Sequence, residues 1–503
     1  MYIGTIAQQF PDKAAVLYGD SVLTYAELEA SSNRLAHLFR AWGLRVGDGI
    51  AVLIGNEPRF YEFYWAAMRS GLFFTPINTH LAPAEMAYIA ENCDARVLIV
   101  SDALRDAARQ CAGNLPNIER RIICDGMLDG FEPYPQCAAD MPSVAVEDEM
   151  TGMPMLYSSG TTGRPKGVRR PLPGVRAVEG PPAVLALAAG FGYRPDDRYL
   201  NVGPLYHAAP ITFSTVNHRI GATVVLMPRF EAEDALRHIE RYRVTTSQWV
   251  PTHFVRMLQL PEAERSRYDL SSHRTAIHAA APCPVEIKRR MIEWWGNILV
   301  EYYAGTEAGG TIVSSEEWLQ RPGTVGKHWR GGKVWAMDEE GQEVPAGQAG
   351  LIFFEVEDGV EYYKDMRKTS QAYRGSLFTI GDIGYLDSDG YLFLTDRQSY
   401  MIISGGVNIY PAEVESALIM HPAVADVAVI GVPDADMGET VKAIVQLRAG
   451  YAPDDALAKE IVEFGREQIA HFKCPRSVEF IALMPRSPAG KLLKGELKAL
   501  YGK

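Results

Sequence analysis

The sequence predicts an α/β protein in two parts, a large N-terminal domain of layered α/β sheets and a small α+β C-terminal domain. Strand-like and helix-like segments alternate down most of the chain, and the texture changes near residue 396. A length of 503 residues also exceeds what one core usually organises. Taken in order, GIAVLIG (49–55) and ARVLIVS (95–101) are apolar runs of strand length. Between them, residues 60–70 set apolar and aromatic side chains on one helical face. ATVVLMP (222–228) is followed by the amphipathic EAEDALRHIERYRV. Strands separated by helices pair largely in parallel, with helices layered on the sheets.

Beyond residue 387, DSDGYLFLTDRQSY carries an Asp-Gly turn and a strand. A Gly-Gly loop, a helix from Pro411, the strand VADVAVIGVP, another strand and a last helix over 455–469 follow. The domains are therefore expected at 1–396 and 397–503. No internal repeat or low-complexity segment interrupts them.

Composition narrows the partners. Fifty Lys and Arg stand against 62 Asp and Glu, a net charge of −12 with no basic tract. Nucleic acid is not expected as a partner, because phosphate neutralisation needs clustered cations. Six scattered cysteines form no C-x-x-C pair, so neither a zinc site nor a redox motif is expected. Such cysteine usage fits a reducing cytoplasm. The first ten residues lack a basic stretch followed by an apolar core, so a secretory signal is not expected. The longest apolar stretch, 183–189, falls far short of the ~20 residues that span a bilayer.

The sharpest local feature is Tyr157-Ser158-Ser159-Gly160-Thr161-Thr162-Gly163-Arg164-Pro165-Lys166-Gly167-Val168. Glycines let a backbone approach a bulky anion and turn its N–H groups inward. The hydroxyls of Ser158, Ser159, Thr161 and Thr162 add donors, and Lys166 adds a positive charge. This is a phosphate cradle without the G-x-x-x-x-G-K-[ST] order of a Walker loop.

With that string the chain resembles the adenylate-forming, AMP-binding superfamily of acyl-CoA synthetases, luciferases and peptide-synthetase adenylation domains. Further stretches match in the family's order over nearly the whole chain. The resemblance implies ATP binding by Ser158, Ser159, Gly160, Thr161, Thr162, Gly163 and Lys166. In Tyr302-Tyr303-Ala304-Gly305-Thr306-Glu307, which resembles Y-G-x-T-E, it implies that Tyr303 stacks on adenine, Thr306 binds the α-phosphate and Glu307 holds Mg2+. Ala304 stands where glycine is usual. Ala280 and Ala281 are implied to border the nucleotide. Thr379-Ile380-Gly381-Asp382 resembles T-G-D, with Ile380 in place of Thr; Asp382 is expected on the ribose hydroxyls, and Arg397 beside it.

The same resemblance makes Lys491, in Pro485-Arg486-Ser487-Pro488-Ala489-Gly490-Lys491, the catalytic cation between acyl carboxylate and α-phosphate. The small domain is implied to rotate after adenylation, presenting Gly405 and Gly406 to coenzyme A about a hinge at Ser399. The family's hinge residue is usually Asp or Lys.

Pro204-Leu205-Tyr206-His207 resembles the segment whose histidine shapes the acyl pocket. Trp249, Val250, Ala279 and Tyr302 are the remaining expected walls. Residues 211–220 contain no Asp or Glu to pair with a substrate amine, so an amino acid is not the expected substrate. Apolar walls fit a fatty, aryl-alkanoic or steroid side-chain acid. No carrier-sized segment follows Lys491, so an acyl carrier fused in cis is not expected. The reading is an ATP-, Mg2+- and CoA-dependent acid–thiol ligase of the cytoplasm, with small-molecule partners and a homodimer left open. Two alternatives stay open here. One is an adenylating enzyme that oxidises its adenylate or serves a separate carrier protein; the other is a catalytically dead nucleotide-binding relative.

Overall fold

The computed structural model describes residues 2–111, 115–158, 165–180, 182–307, 309–356, 359–397, 400–404, 407–434, 437–486 and 492–502. At 158, 182–185, 396 and 397 the description covers the backbone alone. The chain forms two compact units: residues 1–249, 256–277 and 357–371 make the first, and 250–255, 278–356 and 372–503 the second.

The first unit carries the parallel sheets that alternating strands and helices predict. In one, Glu132–Tyr134, Arg120–Cys124, Ala95–Ser101, Gly49–Leu53, Phe73–Pro76 and Met153–Pro154 lie side by side, all parallel. Every residue of Gly49–Leu53 is buried, the signature of a strand covered on both faces. The helix Pro58–Ser70 starts two residues before the expected 60–70 because Pro58 fits a first turn, where its missing N–H costs nothing. It ends at Gly71, whose φ of 69° suits glycine.

A second sheet of the unit runs Ser21–Thr24, Ala14–Tyr18, Thr223–Leu226, Arg198–Asn201, Thr246–Trp249, parallel except for the first pair. Asn56, just past Gly49–Leu53, joins the two sheets. It donates to Gly203 O and Met227 O at 2.9 Å each, and accepts from Leu205 N at 2.9 Å.

The second unit departs from the expectation of parallel pairing. Leu299–Tyr303, Thr311–Ser314, Thr324–His328, Leu392–Arg397, Asp382–Leu386 and Gly350–Glu355 follow one another antiparallel. Direct loops join Leu299–Tyr303 to Thr311–Ser314 and Asp382–Leu386 to Leu392–Arg397, and a short turn can only join antiparallel neighbours. The expected Asp-Gly hairpin is one such turn: Asp387 Oδ1 accepts from Asp389 N and Tyr391 N, both at 2.9 Å.

A five-stranded sheet fills the rest of this unit, with Val424–Asp434 paired antiparallel to Gly438–Leu447. Val427 and Val429 enter one core with Leu418 and Ile461. Their neighbours Ala428 and Ile430 enter another with Ile444 and Leu497. The two-residue period thus explains why VADVAVIGVP is apolar but for Asp426: both faces are covered. The helix Asp455–Gln468 lies where 455–469 was expected, N-capped by the Asp454 carboxylate. A further helix, Lys494–Tyr501, and the strand Ser477–Phe480 were not read from the sequence. Both are short, and tertiary packing rather than local pattern sustains elements of that length. No helix among the described residues is long and apolar enough to cross a membrane.

Candidate active site

In the first unit, the two ends of the phosphate-cradle string lie on paired strands. Leu156–Ser158 pairs antiparallel with Lys166–Arg169, setting Lys166 opposite Ser158. A Cβ at Gly167 would lie 2.6 Å from Met155 Cε, so a side chain there would need that methionine to shift. Ser159, Gly160, Thr161, Thr162 and Gly163 lie outside the described residues.

His207 is the N-cap residue of the helix Ala208–Ile220, with an extended backbone at φ −95° and ψ 153°. Its ring packs 4.6 Å from that of Tyr206, whose hydroxyl is 3.2 Å from His80 Nδ1. The loop ahead of His207 is fixed twice over, by Asn56 and by Asn201, which donates to Gly203 O at 2.8 Å. Neither asparagine was singled out in the sequence. Trp249 is fully buried, its indole N–H donating to Ser247 Oγ at 2.5 Å.

In the second unit, the strand Leu299–Tyr303 runs straight into Ala304-Gly305-Thr306-Glu307. The Tyr303 hydroxyl donates to Asp382 Oδ2 at 2.6 Å, joining two motifs 79 positions apart. Asp382 and Glu307 are 6% and 9% exposed, so neither is a solvated surface charge. A carboxylate is rarely buried so far without a partner or a task. Gly305 brings the two loops together: a Cβ there would meet Ile380 Cγ2 at 2.8 Å and Glu307 Oε2 at 3.0 Å. Ile380, unusual for its motif, is thus a packing residue against Gly305. Gly381, at φ 84°, donates its N–H to Thr379 Oγ1 at 3.0 Å and turns the chain into Asp382.

Val250 and Ala279 are buried, and Tyr302 is half-buried. Ala280 is exposed and holds φ at 77°, left-handed backbone that alanine rarely adopts. Such a conformation costs on the order of 1 kcal/mol and is commonest where a site needs it. Ala281 follows it, half-buried.

The stem of the lysine loop is described, and its tip is not. Arg486 bridges Leu492, and Leu493 N donates to Pro485 O at 3.0 Å. Arg486 is pinned to Asp426 by two hydrogen bonds of 2.6 Å. Ser404 pairs with Val407 across the position of the Gly-Gly loop. Lys491, Gly405, Gly406, Ser399 and the side chain of Arg397 lie outside the described residues; the backbone of Arg397 pairs with Asp382.

Residues 5–358 match the model of the AMP-binding enzymes, and residues 413–491 that of the AMP-binding enzyme C-terminal domain. The chain belongs to the AMP-binding enzyme family. It is 33% identical over 488 residues to the long-chain-fatty-acid–CoA ligase FadD13 of Mycobacterium tuberculosis, covering 96% of this chain and 94% of the relative. To a feruloyl-CoA synthase of an Amycolatopsis species it is 34% identical over 501 residues, covering 99% and 97%. Among solved structures, the anthranilate CoA ligase AuaEII in complex with anthranoyl-AMP is similar at a TM-score of 0.85 and 27% identity, covering 99% and 96%. The chain is accordingly an adenylate-forming ligase of the acyl-CoA synthetase kind, with ATP and coenzyme A as co-substrates.

Proposed function

We propose that this ligase activates an apolar carboxylic acid, fatty, aryl-alkanoic or steroid side-chain in type, in two half-reactions on one site. First a carboxylate oxygen attacks the α-phosphorus of ATP and pyrophosphate leaves, giving the acyl-adenylate. Then the thiol of coenzyme A loses its proton, its sulfur attacks the acyl carbon, and AMP leaves. The observation that carries the residue roles is the Tyr303–Asp382 hydrogen bond beside buried Glu307. It gathers, from motifs far apart in the chain, an aromatic face for adenine, a carboxylate for ribose and a carboxylate for a metal.

Among the described residues no group of three or more His, Cys, Asp or Glu could hold a metal ion by itself. A single carboxylate, Glu307, fits Mg2+, which is held by one or two carboxylates together with substrate phosphates. Bound there, Mg2+ offsets the charge of ATP and of departing pyrophosphate. Thr306 donates to the α-phosphate, and Asp382 with Arg397 orients the ribose. Ser158, Ser159, Gly160, Thr161, Thr162, Gly163 and Lys166 hold the phosphates of ATP. Lys491 neutralises the two anions that meet in the first transition state. His207, Trp249, Val250, Ala279 and Tyr302 wall the acid, while Ala280 and Ala281 border the base.

Residues 397–503 are the moving part, turning about Ser399 to bring Gly405 and Gly406 to the thiol. Reduced cysteines and the two nucleotide co-substrates support a cytoplasmic location. Whether the working form is a homodimer is read by sedimentation.

The test is AMP and acyl-CoA formation over a panel of carboxylic acids, with Lys491→Ala as control. Apolar acids should release AMP in step with acyl-CoA. Lys491→Ala should lose adenylation while still passing a preformed acyl-adenylate to coenzyme A. The proposal is abandoned if only polar acids react, or if Lys491→Ala adenylates normally.

A further inference from the structure

One buried charge cluster in the second unit takes no part in the chemistry above. Lys288, in the helix Val285–Trp295, is 0% exposed, and its Nζ donates to Glu301 Oε2 at 2.6 Å. Glu301 is itself buried, in the strand Leu299–Tyr303. The same Oε2 lies 3.8 Å from Nε2 of His278, a fully buried ring with no hydrogen-bond partner among the described residues. Aromatic faces stand beside them, and the thiol of Cys283 lies close enough to feel both charges. Lys288 Nζ is 4.8 Å from the Trp318 ring centre, and the His278 ring meets Phe254 edge-on at 5.3 Å. Burial and the adjacent ammonium hold the imidazole far below its usual range, so it is neutral.

Stability does not account for this cluster. Removing two charges from water is costly, and well-packed apolar residues in place of a buried ion pair are often neutral or stabilising. What the pair supplies is a directed, fixed separation, and its placement says what is being separated. His278 immediately precedes Ala279-Ala280-Ala281, the segment that contains the left-handed Ala280. The helix of Lys288 begins where the loop after that segment ends, at Val285. Glu301 lies two residues before Tyr303. One carboxylate therefore ties the roots of the two walls that face the nucleotide base.

We propose that Lys288 and Glu301 are positioning residues for the nucleotide base. Their ion pair sets the width of the slot between the Ala279–Ala281 segment and Tyr303, and so the preference for adenine over guanine. The inference rests on the reading of those two segments as the base-binding walls.

The experiment compares the full chain with Lys288→Met/Glu301→Leu, an apolar pair of similar volume, and with Glu301→Gln. ATP and GTP affinities are measured by calorimetric titration without acid, alongside Tm and the KM values for ATP and acid. In the double variant Tm should stay within a few degrees. Affinity for ATP should fall about tenfold or more, a change of ~1.4 kcal/mol. The ratio of ATP to GTP affinity should shrink, and the KM for acid should stay within about twofold, a shift of ~0.4 kcal/mol. A purely structural role moves Tm without changing the base preference. Should the double variant not fold, Glu301→Gln carries the test, with the same narrowing of the ATP-to-GTP ratio expected. Unchanged ATP affinity and unchanged base preference in a folded variant overturn the proposal and leave the ligase reading standing. Failure of the unmodified chain to bind ATP overturns both.

Discussion

Tyr303 gives its only proton to a carboxylate that the proposed chemistry also needs. An ionised carboxylate has about four lone-pair sites on two oxygens, so one phenol leaves room for ribose hydroxyls. The hydroxyl then acts as an orienting donor, holding Asp382 in one rotamer before the nucleotide arrives. Tyr303→Phe keeps the ring for stacking and deletes only that donor. Hydrogen bonds to charged groups contribute about 1.5–3 kcal/mol, part of which water replaces at a half-open site. The expected outcome is a three- to tenfold rise in the KM for ATP, about 0.6–1.4 kcal/mol, with Tm nearly unchanged. Pyrophosphate exchange at varied ATP measures it. A KM equal to that of the unmodified chain would mean that Asp382 is oriented by something else.

Single side chains act here because elements have been brought together at fixed points, and two of those points are sharp enough to break. At Gly305 the nucleotide loop packs against Ile380, and a methyl group would intrude on both Ile380 and the Glu307 carboxylate. Overpacking costs about 1–3 kcal/mol, and here the strain falls on the proposed metal carboxylate. Gly305→Ala should therefore lower the adenylation rate far more than it lowers Tm. Adding Ile380→Ala, which opens the space, should restore part of the rate; no restoration would place the fault in the backbone instead.

Asn56 makes three hydrogen bonds across two sheets and the loop before His207. Its loss as Asn56→Ala deprives Met227 O and Leu205 N of this partner, while Gly203 O keeps Asn201, at about 1–3 kcal/mol for each group not rescued by water. Thermal unfolding should show a fall in Tm of several degrees, and kinetics a rise in the KM for acid that exceeds any change for ATP. An unaltered KM for acid would confine Asn56 to stability. These cases also mark what the sequence could convey. The nucleotide motifs were legible because each is a local string with a recognisable order. Asn56 was not, because its partners lie 147, 149 and 171 positions away. Lys288 and Glu301 belong to no local motif, so nothing in the sequence set them apart from other charges on a helix and a strand. The antiparallel pairing of the second unit was missed for a similar reason: alternating apolar segments report burial, while pairing direction depends on the length of the turns between them.

At the scale of the whole molecule, the proposed mechanism asks one cation and one glycine loop to serve the same reaction centre at different times. The cation is Lys491, and the glycine loop is that of Gly405 and Gly406, on a part of the chain joined to the rest through Ser399. On the proposed mechanism, passing from one half-reaction to the other depends on a change of backbone angles at one residue. Serine leaves φ and ψ free over the allowed regions, whereas proline fixes φ near −65° and restricts the residue before it. Ser399→Pro should leave one half-reaction within about threefold of the unmodified rate and slow the other about tenfold or more, at least 1.4 kcal/mol of barrier. Pyrophosphate exchange reads the first half-reaction. Single-turnover transfer from preformed acyl-adenylate to coenzyme A reads the second, and unchanged Tm shows that the fold survived. The asymmetry is what matters: a residue that merely links two segments, if damaged, slows both steps together. If both rates stay at the unmodified level, or both fall alike, the turn about Ser399 is not how this chain changes from one half-reaction to the other.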